Sequence, residues 1–334
     1  MTLMTKFLGA SAALALTAGA ALADPALVYD LGGKFDKSFN EAAYNGAEAY
    51  AAATGGSYRD IELQSEAQRE QALRRFAEAG FNPVVTTGFS MSTPIASVAA
   101  DYPDTKFVTI DGFVNPEEHP NVLSILFSEH EGSYLVGMMA AMASESGTVG
   151  FVGGMDVPLI RKFACGYAQG VMAANPDATV IANMTGTTPA AWNDPVKGSE
   201  LAKAQISQGA DVIYAAAGGT GLGVLQTAAD EDILSVGVDS NQNHLHPGEV
   251  LTSMLKRVDV AVQEAMTAGD ELETGVMVLG LAENGVGYAL DDNNEALITE
   301  EMRAAVDEAR EQIIAGEIAV HDYSSDDSCP VLNF

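Results

Sequence analysis

Three aspartates follow short apolar stretches at places where a buried strand could end. Asp30 follows "ALVY", Asp111 follows "KFVTI" and Asp239 follows "ILSVGV". Ligands of open parallel sheets bind beyond the carboxyl ends of the strands, where carboxylates can accept hydrogen bonds from a polar ligand. Any one of these aspartates could instead be an ordinary turn or cap residue, because Asp is common at both. The three together indicate a polar binding site.

Glycine-rich stretches accompany these aspartates, but none has the spacing of a nucleotide-binding motif. The stretch "GGKFDKSFN" does not end as a phosphate loop does, and "GGTGLG" from Gly218 misses the spacing of a dinucleotide turn. We interpret Gly218 as a place where backbone N–H groups approach a ligand closely. Serine-hydrolase and zinc-protease motifs are absent, and His244 and His246 lack a third ligand at a supporting spacing. We therefore predict no catalytic residue, no metal and no cofactor.

Apolar stretches of strand length alternate with amphipathic stretches of helix length along most of the chain. Strand followed by helix, repeated this often, predicts an α/β fold in which helices cover both faces of a parallel sheet. Two helix starts support this prediction. Ser38-x-x-Glu41 predicts a capping box, and Asp194 before Pro195 predicts an N-cap followed by a first-turn proline. We interpret the acidic stretch near 322–327 as a solvated chain end.

The composition of the chain limits the classes of partner. Its 334 residues are 47% hydrophobic and 19% charged, an ordinary globular composition with room for two lobes of roughly 100 to 200 residues. The formal net charge of −30 repels nucleic acid and anionic lipid, and no basic cluster offers a site for a phosphorylated ligand. The acidity could also serve solubility alone. We expect a small-molecule ligand without phosphate, and no nucleic acid.

Residues 1–23 have the layout of a secretory signal, with one lysine, an apolar run and small residues before Asp24. We expect cleavage after Ala23 and a soluble periplasmic protein; a membrane anchor is the alternative, which the short Ala-rich run disfavours. Because no cysteine lies near the cleavage point, we expect no lipid anchor. Cys165 and Cys329 form an even pair, which predicts a disulfide in an oxidising compartment, and two buried free thiols are the alternative.

Beyond these local patterns, the chain resembles the basic membrane protein (Bmp/PnrA-like) family of substrate-binding proteins of ABC importers, several of which bind purine nucleosides. The resemblance is carried by "DLGGKFDKSFNEAAYNG", "YPDTKFVTIDG", "WNDPVKGSELAKAQISQGADVIYAAAGGTGLGV", "VGVDSNQ" and "LTSMLKRVD". It implies a type I periplasmic-binding-protein fold, with two doubly wound α/β lobes joined by three crossing strands. The implied lobes are 24–127 plus 256–274 and 128–255 plus 275–334. A membrane permease is the implied partner, and we expect a monomer.

The resemblance also implies a ligand site with residues from both lobes. Its members are Asp30, Phe39, Asn40, Ser90, Asp111, Trp192, Gly218, Asp239 and Lys256. In the implied arrangement Phe39 and Trp192 stack on the two faces of the base, and Asp30 contacts its edge. Asp239 and Lys256 contact the ribose.

Two departures from the family pattern concern the base. Trp192 stands where nucleoside-binding members carry Phe, and "TGFSMST" lacks an asparagine, so Ser90 or Ser92 would take that contact. The alternative ligands are a free nucleobase or a small sugar. An exported nucleoside hydrolase that uses the strand-end aspartates is the alternative from a different class.

Overall fold

The computed structural model describes residues 23–334. The predicted signal sequence therefore lies outside the described residues, apart from Ala23. The described part of the chain forms two α/β lobes, each built around one six-stranded sheet. No helix within residues 23–334 combines the length and the apolar composition that a membrane span requires.

Strands and helices alternate along residues 23–334, as the sequence predicts. The strands are β1 (Ala26–Tyr29), β2 (Arg59–Glu62), β3 (Val84–Thr87), β4 (Phe107–Ile110), β5 (Val122–Phe127), β6 (Thr148–Met155), β7 (Thr179–Gly186), β8 (Val212–Ala216), β9 (Leu234–Asp239), β10 (Val250–Lys256), β11 (Gly275–Leu279) and β12 (Val286–Tyr288). The α-helices are α1 (Phe39–Thr54), α2 (Arg69–Glu78), α3 (Ser92–Ala99), α4 (Glu129–Ala143), α5 (Pro158–Ala174), α6 (Pro195–Ile206), α7 (Gly221–Asp230), α8 (Val258–Ala268) and α9 (Glu300–Ile314).

The first sheet is parallel throughout and has the order β11-β5-β4-β3-β1-β2. Side chains alternate along β1, so Ala26 and Val28 pack in the core with α2 and α3. Leu27 and Tyr29 point to the other face, into the core with α1 and α8. Helices on both faces explain why β1 is apolar along its whole length.

The second sheet has the order β12-β10-β9-β8-β6-β7, and only its edge strand β12 is antiparallel to its neighbour. The same alternation divides its side chains between two cores. Val149 and Phe151 of β6 belong to the core that contains α4 and α5, whereas Val152 packs with α6 and α7. Both lobes are therefore doubly wound, as predicted.

Three segments cross between the lobes, after Phe127, after Lys256 and after Leu279. They lie side by side, since Ser128 N donates to Leu279 O at 3.1 Å and Arg257 N donates to Gly285 O at 2.8 Å. The last of these positions differs from the predicted boundary. Strand β11 pairs with β5, so the first sheet extends to Leu279 and not only to residue 274. A short apolar run indicates a strand, but it does not indicate which sheet the strand joins.

The acidic chain end is docked on α5 through Tyr323, whereas residues 324–327 are exposed, so the interpretation as a solvated end holds only in part. The predicted disulfide between Cys165 and Cys329 is present. Tyr323 is buried, and its hydroxyl accepts a hydrogen bond from Arg161 Nη1 at 2.9 Å. Gln169 Nε2 also donates to the carbonyl oxygen of His321 at 3.0 Å. The acidic composition of the segment concealed these specific contacts.

Candidate functional site

The predicted site residues lie around a cavity between the lobes, at the carboxyl ends of strands from both sheets. This space is partly open to solvent, and small-molecule sites occur preferentially at such interfaces between lobes. The predicted residues that line it are Asp30, Phe39, Asn40, Asp111, Trp192, Gly218, Asp239 and Lys256. The remaining predicted residue, Ser90, lies behind Asp30.

Trp192 reaches the cavity from a short 3-10 helix, Pro189–Trp192, just before α6. The Asp194 side chain accepts a hydrogen bond from Lys197 N at 3.0 Å, which confirms the predicted N-cap. The indole packs on β6 at Gly154, where an added Cβ would lie 2.1 Å from Trp192 Cζ3. Glycine is therefore required at this position for the indole to lie there. This contact could not be predicted from the sequence, because a glycine within a strand does not reveal what packs on it.

Phe39 is the first residue of α1 and lines the cavity from the first lobe. Its half-buried ring has its centroid 5.2 Å from Lys256 Nζ. Trp192 lines the same cavity from the second lobe. Each lobe therefore contributes an aromatic side chain to one space.

Asp30 is held by residues of its own lobe. Arg69 donates from Nε to Asp30 Oδ1 at 3.0 Å and from Nη2 to Oδ2 at 3.3 Å, which makes a bidentate pair. Ser90 Oγ also donates to Asp30 Oδ2. Ser90 therefore orients Asp30, and Ser92 donates to the carbonyl oxygen of Phe89. Arg69 could not be predicted as a partner of Asp30, because it lies 39 residues away in a helix without a ligand-binding motif.

Asn40 uses its side-chain amide within the first lobe. Its Nδ2 donates to the carbonyl oxygens of Gly33 at 3.1 Å and of Asp30 at 3.3 Å. Its Oδ1 accepts from Thr87 Oγ1 at 2.8 Å. Asn40 lines the cavity, but these contacts make it a support for the loop that carries Asp30.

The predicted capping box at Ser38 does not form. Asp36 caps α1 instead, since its carboxylate accepts from the backbone N of Ser38 at 2.9 Å, of Asn40 at 3.0 Å and of Glu41 at 3.1 Å. Burial raises the pKa of Asp36 to about 7, although these three backbone donors lower it. Ser38 Oγ donates across the cleft to Asp239 Oδ2. The start of α1 is thus joined to the end of β9 in the other lobe.

Lys256 is almost completely buried and forms the cationic centre of the cavity. Its Nζ lies 2.6 Å from Asp111 Oδ2 and 2.8 Å from Glu129 Oε1. Three aromatic ring centroids surround Nζ at 5.1 to 5.4 Å, those of Phe39, Phe127 and Phe163. Burial lowers the pKa of Lys256, but Asp111, Glu129 and Asp239 more than offset this and raise it. Lys256 is therefore a cation. Glu129 was not predicted.

Two of the strand-end aspartates have left-handed backbone conformations, with φ 70° at Asp111 and φ 63° at Asp239. Such conformations are strained for residues other than glycine, and they concentrate at functional sites. Burial raises the pKa of Asp111 to about 6, although Lys256 lowers it, and burial also raises the pKa of Asp239. Asp111 Oδ1 is buried and has no hydrogen-bond partner in residues 23–334. It is an acceptor that a ligand donor can satisfy.

The first turns of α5 form an apolar wall of the cavity. Leu159, Ile160 and Phe163 line it, and the last two are buried. The stretch "PLIRKFACGY" contains two basic residues, a pattern typical of a solvated face, yet its apolar side chains line the cavity. Lys162 is itself largely buried, because it forms an ion pair with Glu129 at 3.0 Å.

His244 lies in the short 3-10 turn Asn243–Leu245, outside the cavity lining. It is exposed, and its Nδ1 lies 3.1 Å from the carbonyl oxygen of Asn241. Within residues 23–334, no group of three or more His, Cys, Asp or Glu side chains has the arrangement of a metal site.

We expect Gly154→Ala to displace the Trp192 indole from the cavity wall. The added Cβ would lie 2.1 Å from an indole carbon, and relief of such overpacking costs about 1–3 kcal/mol. Trp192 is the only tryptophan of the chain, so its emission maximum and its quenching by iodide report the displacement. Gly186→Ala is the matched control, because its Cβ would meet only Ala191 Cβ at 3.7 Å. Unchanged emission in Gly154→Ala would contradict the packing.

The protein-family model described as ABC transporter substrate-binding protein PnrA-like matches residues 25–324. An uncharacterized lipoprotein of Pyrococcus horikoshii is 35% identical over 279 residues, which cover 79% of this chain and 68% of that protein. The ABC transporter nucleoside-binding protein BmpA of Lactococcus lactis is 29% identical over 320 residues, which cover 88% of each chain. The family resemblance seen in the sequence is confirmed.

A similar arrangement of elements is found in a solved structure. The crystal structure of an ABC transporter system solute-binding protein from Aeropyrum pernix K1 has a TM-score of 0.81 and 28% sequence identity. The match covers 91% of this chain and 95% of that one. The predicted periplasmic-binding-protein fold is thereby confirmed.

Proposed function

We propose that this chain, which belongs to the PnrA-like family of ABC-transporter substrate-binding proteins, captures a purine nucleoside and presents it to a membrane permease. One observation carries the proposal. A single cavity combines an aromatic side chain from each lobe with buried carboxylates at the strand ends. A nucleoside has the matching parts, a flat base joined to a neutral polyol.

The base would lie between Phe39 and Trp192. Stacking on an aromatic side chain contributes roughly 1–3 kcal/mol per base and tolerates several bases. Asp111 Oδ1 is a buried acceptor without a partner in residues 23–334, and a ring N–H of a purine would satisfy it. Asp30 lies at the same cavity, with its carboxylate already fixed by Arg69. We propose that these two carboxylates recognise the edge of the base by accepting hydrogen bonds from it.

The ribose would lie against Asp239 and Lys256. A carboxylate can accept hydrogen bonds from two neighbouring hydroxyls, and an ammonium can donate to them. Both side chains line the cavity and are almost fully buried. This pair distinguishes a nucleoside from a free nucleobase, which leaves both groups without ligand contacts.

We also propose that the mature chain works in the periplasm as a monomer. The family is one of substrate-binding proteins of ABC transporters, which capture small molecules outside the inner membrane. The relative from Pyrococcus horikoshii is named a lipoprotein, a name that implies a lipid anchor and differs from the expectation of an unanchored chain. Mass spectrometry of the mature protein from its natural host would distinguish the two states.

Calorimetry with four related compounds tests the choice of ligand. We expect a nucleoside such as guanosine to bind far more tightly than guanine, ribose or guanosine 5′-monophosphate. The monophosphate would bring negative charge to a cavity lined by four carboxylates, those of Asp30, Asp36, Asp111 and Asp239. Only Lys256 among the lining residues is cationic. Equal affinity for the nucleoside and its monophosphate would contradict this account, and tightest binding of ribose would favour the sugar alternative.

An assay for release of free base separates the binding proposal from the hydrolase alternative. Because the family consists of substrate-binding proteins, we propose that the chain is not an enzyme. Pure protein incubated with inosine should release no hypoxanthine beyond the uncatalysed background. Steady release that scales with protein concentration would contradict the proposal.

A further inference from the structure

Side chains of alternating charge form a row between the cavity and the C-terminal segment docked on α5. The row begins at Lys256 and ends at Asp322. Glu129 Oε1 lies 2.8 Å from Lys256 Nζ, and Glu129 Oε2 accepts from Lys162 Nζ at 3.0 Å. Lys162 Nζ also lies 3.7 Å from Asp322 Oδ2. The side chains of Glu129 and Lys162 are only 1% and 12% exposed. Neither residue lines the cavity, so each could reach a ligand only through Lys256.

We propose that Glu129 and Lys162 are positioning residues, which hold the Lys256 ammonium at the ribose end of the cavity without touching the ligand. The proposal rests on the proposed function, which places the ribose at Lys256. It assigns a role to two buried charges that the binding account leaves unused.

The position of Glu129 suits this role. It is the first residue of α4 and directly follows the segment that crosses from the first lobe, and a carboxylate is favoured at a helix N-terminus. Lys256 is the last residue of β10, just before the second crossing segment. The pair therefore lies where the lobes join. Without Glu129, Asp111 would be the only carboxylate within ion-pair distance of Lys256 Nζ in residues 23–334, and it belongs to the other lobe.

Lys162 completes the arrangement by balancing the buried carboxylate. Its Nζ donates to Glu129 and also to the carbonyl oxygen of Phe127 at 3.1 Å, which fixes the ammonium in place. Burial raises the pKa of Glu129, but Lys256 and Lys162 outweigh it and hold this pKa low, at about 2. The two ammonium groups thus favour the ionised form of Glu129. Its charge fixes the ammonium of Lys256 on one side and that of Lys162 on the other.

Glu129→Gln tests the proposal by calorimetry. The substitution keeps the shape of the side chain and removes its charge. We expect the Kd for guanosine to rise about tenfold or more, because one charge-assisted contact to the ribose-binding ammonium is lost. The Kd for guanine should rise much less than that for guanosine, because guanine lacks the ribose that is proposed to contact Lys256. Glu131→Gln is the matched control, because Glu131 lies in the same helical turn but accepts from Leu281 N.

Lys162→Met and Lys162→Arg form a second pair of variants. Lys162→Met should weaken guanosine binding selectively, as Glu129→Gln does, and Lys162→Arg should restore it because the cation is kept. This pair keeps the proposal testable if Glu129→Gln does not fold. Equal losses for guanosine and guanine, or guanosine affinity unchanged in both Glu129→Gln and Lys162→Met, would show that the two residues are only structural.

Nuclear magnetic resonance of the lysine ammonium groups gives a readout that needs no ligand. In the ligand-free protein, Lys256 and Lys162 should give 15N-ammonium signals protected from exchange with water, and Lys162→Met identifies which is which. We expect Glu129→Gln to shift the Lys256 signal or remove its protection, and Glu131→Gln to leave it unchanged. An unchanged Lys256 signal in Glu129→Gln would overturn the proposal. If the wild type bound no nucleoside, the proposed function would fail while this test would still decide on the positioning.

Discussion

Lys256→Met is expected to abolish nucleoside binding and to lower the free energy of unfolding by about 3–5 kcal/mol, as is usual when one partner of a buried ion pair is removed. Asp111 and Glu129 lie 2.6 and 2.8 Å from Lys256 Nζ, and their side chains are 5% and 1% exposed. Without the ammonium, these carboxylates would be buried beside one another with no cation between them. The variant should therefore lose stability as well as the ribose contact.

Urea denaturation of the ligand-free protein measures the loss of stability, and calorimetry measures the loss of binding. Lys37→Met is a suitable control, because the Lys37 side chain is 42% exposed and pairs with Glu41, four residues later. Exposed pairs of this kind contribute about 0–1 kcal/mol. If Lys256→Met cost no more than Lys37→Met, the buried cluster would not have the importance given to it here.

The stability lost in Lys256→Met should depend on pH. Burial already raises the pKa of Asp111 to about 6, above its value in an unfolded chain, and loss of the ammonium should raise it further. A carboxyl with a raised pKa stabilises the fold while it is protonated, and this contribution is lost as the pH rises through the folded pKa. We therefore expect the difference between wild type and Lys256→Met to be smaller near about pH 5 than near about pH 8.

Asp239→Asn is expected to weaken nucleoside binding by roughly ten- to hundredfold, which corresponds to the loss of one charge-assisted hydrogen bond. The affinity for the free base should hardly change, because Asp239 is proposed to contact only the ribose. Asn is preferred to Ala in this test. Asp239 has φ 63°, a left-handed conformation that Asn tolerates and that strains Ala.

Asp232→Asn provides the matched control for this substitution. Asp232 is also left-handed, with φ 54°, but it is exposed and lies outside the cavity lining. Its variant should bind like the wild type. Calorimetry with nucleoside and base on all three proteins measures the effect. If Asp239→Asn lowered the affinities for nucleoside and base equally, Asp239 would belong to the base site or would act through its hydrogen bond with Ser38 between the lobes.

The sequence was sufficient to predict the strand-end positions of the site. Apolar runs ending in Asp30, Asp111 and Asp239 place carboxylates at the carboxyl ends of strands, the first two in one sheet and Asp239 in the other, by a rule that needs no contacts. The aromatic walls, Phe39 and Trp192, came from the family resemblance alone. They now lie at one cavity, while their contacts with a ligand stay a prediction.

Contacts between distant segments could not be predicted from local patterns. Ser38 has the spacing of a capping box with Glu41, yet its hydroxyl turns to Asp239, 201 residues away in the other lobe. In the sequence, Glu129 is an ordinary acidic residue at a predicted helix start. It lies close to Lys256 only in the folded protein. A local motif indicates which hydrogen bonds a side chain can make. The tertiary structure decides which of the possible partners it binds.

The central claim is that a purine nucleoside stacks on Trp192 between the lobes. The most direct measurement is the emission of this single tryptophan while guanosine is added to protein that has been unfolded and refolded to remove bound ligand. We predict a saturable change whose midpoint equals the calorimetric Kd, with Trp192→Phe binding guanosine but giving no such signal. Calorimetric binding of guanosine with unchanged emission would place Trp192 outside the site, and no binding of any purine nucleoside would contradict the proposed function itself.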